Sequence, residues 1–415
     1  MTDAPPRMSL LALSLIGCAQ VCAWGSVYYA FSLTGPLIAR DLGMTGESVT
    51  AGFTLALIVG AFAAAPVGRA LDRLGGRRML AAGSGCGALA MAATGAAQGP
   101  VSYFLASALL GLAAATALYD AIFPALVQAA GAQARRAITI VTLFGGFAST
   151  AFWPLTSALL TQMSWREVYG LYAIVHLVFC LPVYLLALPG VAPADEPATG
   201  AAARHGDEQP ALQGELRRRA FVLFGLLLAM FNLVSAGLTV LMISTLMDIG
   251  HGREAAVAAS VLFGPAQVAA RLWEMAAQGK VSALGVGRIA SALLPVALVL
   301  LILGQWSYAA ALAFALVFGL SNGLMTIAKG TVALALFGRG GYGALLGRLS
   351  VASLLFRALG PFVCAWLSAA GGAAVMIAAM LACALAGVAA CERLARLTQP
   401  VDKGGQGGQV GRANG

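Results

Sequence analysis

Five ionisable residues stand inside otherwise apolar stretches of this chain: Asp120, Arg271, Glu274, Lys329 and Arg357. A charge in such a stretch costs about 2.5–3.5 kcal/mol on membrane-insertion scales, so each is a candidate for chemistry. Asp120 follows Tyr119 and precedes Pro124. Its carboxyl can take up and release a proton, or it can tie its helix to a neighbour by an ion pair. Arg271 can grip a carboxylate through two parallel N–H bonds, or it can form a structural latch with Glu274 as the second copy of Arg69 and Asp72. Glu274 lies one helical turn away, and a local Arg271–Glu274 pair is the expectation for it. The long stem of Lys329 favours snorkelling to an interface; its other use is as a second positive group facing an anion. Arg357 precedes Gly360-Pro361, where an interrupted helix could line a cavity. Three cations against two carboxylates would make such a cavity attract anions.

The stretches that must position these groups are long. Of 415 residues, 60% are hydrophobic and 10% charged, against roughly 25% charged in soluble domains. The apolar runs are continuous and lack strand-like alternation, which predicts membrane-spanning helices and excludes a barrel. Twelve spans are predicted. The first six lie near 8–36, 48–68, 78–97, 101–129, 137–161 and 167–189. The second six lie near 218–247, 254–278, 286–304, 307–336, 343–369 and 371–396. The first run is too long for a cleavable signal and is expected to stay as a helix.

Between the second and third spans stands Gly68–Arg78, reading GRALDRLGGRR. A short loop so rich in arginine belongs on the cytoplasmic side. Most of the 25 Lys and Arg fall on that same side. Only Arg40, Arg166 and Arg253 are placed outside, and Arg271, Lys329 and Arg357 within spans. The net charge of +9 is therefore topological, and no nucleic-acid partner is expected. An even number of spans puts both termini in the cytoplasm.

The expected organisation is an N-terminal six-helix bundle over 1–190, a cytoplasmic linker over 191–216, a C-terminal bundle over 217–397 and a disordered tail over 398–415. A shift of 202 residues carries Arg69, Asp72 and Arg78 onto Arg271, Glu274 and Lys280, and Asp120 onto Asn322. Duplicated six-span halves are the plan of a rocking secondary transporter.

Gly68, Asp72, Arg73, Gly75, Arg77 and Arg78 resemble motif A of the major facilitator superfamily, with Gly76 as a one-residue insertion. With the six-plus-six plan the resemblance spans the whole chain. It implies that the motif latches the helix ends in the outward-open state and does not bind substrate. It also implies a monomer in which helices 1, 4, 7 and 10 line the cavity. Elementary electrostatics adds that Asp72 can accept hydrogen bonds from a helix N-terminus. Trp24-Gly25, Tyr28 and Tyr29 in the first span, with GPAQVAAR over 264–271, resemble the monocarboxylate-transporter-like and oxalate/formate-type carriers. Gln267 stands where many of those have an acidic partner for the arginine. The fifth span lacks the Gly-Pro-Gly-Gly pattern of drug/proton antiporters.

The expectation is an all-α major facilitator fold in a bacterial inner membrane. It would move a small organic anion, monocarboxylate-like, by alternating access with proton coupling. Asp120 would carry the proton. Arg271, Tyr28, Tyr29, Asn322, Lys329 and Arg357 would contact substrate. Gln20, Asn232 and Gln267 are further polar candidates, and His176 is expected to be a packing residue. The alternative is a proton-driven exporter of drugs, metabolites or metalloids, in which Cys18 and Cys22 could offer a soft-metal handle. A sensor that binds without transporting is a third class, disfavoured by the short loops. No phosphate-binding loop, metal-ligand cluster or nucleophile motif occurs, so neither an enzyme nor a cofactor is expected.

Overall fold

The computed structural model describes residues 8–189 and 212–398. Among them there is no strand, and twelve helices follow one another. The first six are α1 (Leu10–Asp41), α2 (Gly46–Leu74), α3 (Gly76–Gly95), α4 (100–130), α5 (134–160) and α6 (Trp165–Ala187). The second six are α7 (Gly214–Asp248), α8 (Arg253–Ala277), α9 (Ala283–Gly304), α10 (Tyr308–Phe337), α11 (342–371) and α12 (373–398). The linker expected over 191–216 lies outside the described residues up to 211, and α7 already begins at Gly214. The tail beyond Thr398 also lies outside them.

The helix ends follow local chemistry. Ser9, Thr45 and Ser282 each accept a backbone N–H from the first turn of α1, α2 and α9, which satisfies donors that no carbonyl can reach. Ser164 and Glu167 form a reciprocal capping box at α6. Gly75, at φ 83°, makes the hard turn between α2 and α3, a conformation that side chains with a Cβ rarely take. Gly372, at φ 76°, separates α11 from α12.

Several helices are interrupted at mid-depth, each near a proline or glycine. In α4 the regular helix stops at Ala117 and restarts at Tyr119. Pro124 supplies no N–H to the carbonyl four residues back, at Asp120, and crowds it. At the break itself the Ala121 N–H turns to the Leu118 carbonyl, and the Ala117 carbonyl so freed accepts from Gln20 Nε2 at 2.8 Å. In α1 the turn Gly25–Tyr29 is a π-helix. The α5 helix breaks at Phe147, after Gly145-Gly146, and α8 breaks at Leu262, before Gly264-Pro265. In a membrane such breaks persist only where neighbours satisfy the freed groups.

The two halves meet mainly through α2 with α11, α5 with α8 and α10, and α4 with α11. These contacts cluster towards the face that carries the 68–78 loop, called here the loop face. Towards the opposite face, Phe31–Asp41 and Ala148–Leu160 make their main contacts inside the first half. The halves are thus closed together at the loop face.

Candidate functional site

The interruption in α4 puts Asp120 in the first turn of Tyr119–Ala130, where the helix dipole favours a carboxylate. Its Oδ1 meets Lys329 Nζ of α10 at 2.5 Å and accepts the Ser350 hydroxyl of α11 at 2.5 Å. The Asp120 and Lys329 side chains are 13% and 15% exposed. One carboxylate therefore ties one helix of the first half to two of the second. This corrects the snorkelling expected for Lys329: an ion pair at 2.5 Å outweighs a stretch to the interface, because the ammonium finds its counter-charge in place.

Glu274 is fully buried, and its partner is not Arg271. Its Oε1 meets Arg135 Nη2 at 2.9 Å and Nε at 3.0 Å, while its Oε2 accepts from Thr139 at 2.7 Å and Gln278 at 3.1 Å. Arg135 also donates to the Val281 carbonyl at 2.9 Å. The expected local Arg271–Glu274 pair is thus replaced by a bridge from α8 to the start of α5. The fork of Arg135 and the Thr139 hydroxyl saturate the buried carboxylate, as burial demands. Glu274→Gln is expected to lower stability by about 1.5–3 kcal/mol, the worth of charged hydrogen bonds. Glu274→Gln/Arg135→Gln is expected to recover part of the loss; thermal unfolding of the two variants measures both.

The 202-residue repeat has a direct spatial meaning here. Asp72, the counterpart of Glu274, accepts the Gly343 N–H at 2.9 Å and the Ala344 N–H at 2.8 Å. Asp72 thus joins α2 to the first turn of α11 as Glu274 joins α8 to the first turn of α5. Gly68 and Gly343 let the two backbones touch, since a Cβ on Gly68 would run into the Gly343 carbonyl and one on Gly343 into the Gly68 carbonyl. Gly76 N–H donates to Gln128 Oε1 at 2.8 Å, anchoring α3 to α4. Arg69, Arg73, Arg77 and Arg78 are exposed.

Among the described residues, Arg271 has no ion-pair partner. It is only 4% exposed, and its Nε and Nη1 are buried with no hydrogen-bond partner. Nη1 lies against Gly146 in the break of α5, in space that a Cβ would fill. The Tyr119 hydroxyl lies against the adjacent Gly145 and within electrostatic reach of Arg271. Arg357 of α11 lies over the Tyr28 ring at 5.0 Å and the Trp24 ring at 5.9 Å. Trp24, in turn, packs on Tyr119 (4.9 Å), Tyr28 (5.7 Å) and Tyr29 (6.4 Å). One aromatic wall thus touches Arg357 directly and approaches Arg271 through Tyr119. The π-turn Gly25–Tyr29 contributes Tyr28 and Tyr29 to it.

The following hydrogen bonds of the remaining polar candidates stay within one half. Asn322 Nδ2 donates to Ser235 at 2.6 Å, joining α10 to α7. Asn232 donates to Ser353 at 3.1 Å. Gln20 also donates to the Tyr184 hydroxyl at 2.9 Å. His176 is buried, with Nε2 2.9 Å from the Ser26 hydroxyl. At the α8–α10 crossing the backbone carbonyl of Gln267 lies against Gly323. Sequence reasoning missed Arg135, Thr139, Gln278 and Ser350. The repeat offered a signal for Arg135, because whatever Asp72 does to α11 its counterpart should do to α5. Ser350, one hydroxyl in an apolar run, carried none.

Paired six-helix halves, interrupted helices at mid-depth and bridges confined to one face define a secondary-transporter fold. The family model described as Major Facilitator Superfamily matches residues 16–341, and the chain belongs to that family. The structure is similar to the human organic anion transporter MFSD10 (TETRAN), with a TM-score of 0.71 and 16% identity, over 94% of this chain and 100% of that one. It is similar also to the transporter FucP in its outward conformation, with a TM-score of 0.70 and 14% identity, over 95% and 100%. A Thermoproteus tenax protein described as an uncharacterized 38 kDa protein in 23S RNA operon is 31% identical over 196 residues, 46% of this chain. The chain spans about half the length of that curated relative.

Proposed function

We propose that this transporter moves a small organic anion by alternating access, coupled to protons, with Arg357 and Arg271 as the anion-binding groups. One observation carries the reading. Asp120 is neutralised by Lys329 and Glu274 by Arg135, while Arg271 and Arg357 form no ion pair among the described residues, Asp120 reaching Arg357 only from beyond ion-pair distance. Two uncompensated guanidinium groups in an apolar bundle favour an anion that supplies the missing charge. The similarity to an organic anion transporter supports the same substrate class. The aromatic wall of Trp24, Tyr28, Tyr29 and Tyr119 offers apolar contact for the body of such a molecule, and Lys329 becomes a further cation when its pair opens.

Asp120 is the proton carrier in this reading. A proton on its carboxylate removes the charge that holds Lys329, so protonation and opening of the α4–α10 bridge are one event. The loop face is cytoplasmic by its arginine content, which makes this conformation outward-open, with the Asp72 and Glu274 bridges as cytoplasmic latches. The protein acts as a multi-pass monomer of a bacterial inner membrane.

The test is binding and uptake of a panel of radiolabelled carboxylates by purified protein in liposomes. Arg357→Gln is expected to weaken the carboxylates that bind by roughly 10- to 100-fold, the equivalent of one charged hydrogen-bonding contact. Arg271→Gln is expected to do the same. Unchanged affinity and rate in both variants would remove the anion reading. Preference for lipophilic cations or metalloids would favour the exporter instead.

A further inference from the structure

At the loop face, the start of α7 and the end of α12 enclose an open groove of about 610 Å³. Arg218 and Arg219 line it from α7, and Arg393 and Arg396 from α12, with Glu215 the one carboxylate among its lining residues. Glu215 is shared between Arg218 at 3.4 Å and Arg219 at 3.0 Å. Arg393 and Arg396 are exposed and have no ion-pair partner among the described residues. The acidic neighbour on α12, Glu392, is engaged on another side by Arg288, at 2.7 and 2.8 Å.

Helix electrostatics does not explain the cluster. Arg396, in the last turn of α12, suits the negative end of its helix. Arg217, Arg218 and Arg219 stand in the first two turns of α7, where the dipole disfavours cations. An anion between the two helix ends offsets both that penalty and the mutual repulsion of four guanidinium groups. The floor of the groove is apolar, formed by Val222, Leu223 and Leu397. From it an apolar lane runs along the outside of the bundle. Val222 and Leu226 are exposed on α7 at 61% and 42%, and Leu385 on α12 at 52%. The lane follows the line where the two helices close up, with Gly387 against Leu227 and Met230. Ala386 and Ala389, also exposed, keep its α12 side shallow.

We propose that this groove is a binding site for an anionic phospholipid whose headgroup carries two phosphates. The arginines hold the phosphates and the lane takes the acyl chains. Paired Arg–phosphate contacts are strong and directional, and basic pockets between spans at the membrane surface recognise such headgroups. A free anion would use the arginines and leave the apolar floor and lane uncovered, so the geometry favours the lipid.

The experiment compares cardiolipin, phosphatidylcholine and inorganic phosphate by native mass spectrometry and thermal shift on the detergent-purified full chain. Cardiolipin is expected to remain bound and raise the melting temperature, and the other two to do neither. Arg393→Gln/Arg396→Gln is expected to weaken cardiolipin at least tenfold, whereas Arg40→Gln/Arg253→Gln, an equal charge loss on the opposite face, leaves it unchanged. Val222→Trp, which fills the lane and spares the arginines, is expected to weaken cardiolipin as well. Equal cardiolipin binding by wild type and Arg393→Gln/Arg396→Gln overturns the proposal. Equal stabilisation by inorganic phosphate also overturns it, and makes the groove a site for free anions.

Discussion

Asp120→Ala is expected to destabilise the protein by about 3–5 kcal/mol, the usual result of removing one member of a buried pair. The cost comes less from the lost attraction than from what is left behind. Lys329, with a side chain 15% exposed, would be left in an apolar bundle with no ion-pair partner, and either a lone charge or its neutralisation costs free energy. The Ser350 hydroxyl would lose its acceptor as well. Asp120→Ala/Lys329→Met removes both charges and is expected to unfold close to the wild-type temperature, because an apolar pair of similar volume often replaces a buried ion pair without loss. Transport is expected to vanish in both variants if the pair belongs to the coupling step. Asp120→Asn is expected to retain substrate binding and lose pH-dependent accumulation. Thermal unfolding in detergent and uptake across an imposed pH gradient measure these separately. Equal melting temperatures for the single and double variants would contradict the argument from the uncompensated ammonium.

The second large effect is expected at the crossing of α2 and α11. Gly347 lies against the Ala64 carbonyl, so a side chain there would meet backbone, which cannot rotate aside. Gly347→Leu must part the two helices. Parting them breaks the bonds from Gly343 and Ala344 to Asp72, together about 3–6 kcal/mol for two charge-assisted hydrogen bonds. About 5.5 kcal/mol reverses a two-state equilibrium from 1:99 to 99:1. The substitution is therefore large enough to transfer the population to a form open at the loop face. Thr326→Cys, hydrogen-bonded within α10 and introduced as a reporter beyond the latch into a chain whose seven cysteines are replaced by serine, is expected to react at least tenfold faster with a membrane-impermeant maleimide applied from that face. Asp72→Asn, which leaves the packing intact, is expected to give the same change at smaller amplitude. Unaltered labelling in both variants would mean that this contact does not set the conformation.

Much of the architecture was written in one dimension. Continuous apolar runs leave a chain no choice but helices across a bilayer, since every backbone polar group must be satisfied within the span. The arginine-rich turn at 68–78 is held in water by its own solvation, and Gly75 is there because the turn takes a positive φ. The rarity of charge inside the spans also singles out Asp120, Arg271, Glu274, Lys329 and Arg357, because an intramembrane charge is costly.

What the sequence by itself did not determine is which charge answers which. The rule of one helical turn pairs Arg271 with Glu274, and the tertiary structure gives Glu274 to Arg135 instead, from a helix of the other half. The long stem of Lys329 points towards the interface on paper, and the fold offers it Asp120 within 2.5 Å. Ion pairing decays with distance in space, and separation along the chain says little about that distance once helices far apart in sequence cross. Arg271 and Arg357 are left without an ion pair among the described residues because the two carboxylates are claimed by Lys329 and Arg135. That outcome belongs to the packing of the halves, because burial at the crossings decides which charges must be neutralised and which side chains are near enough to do it.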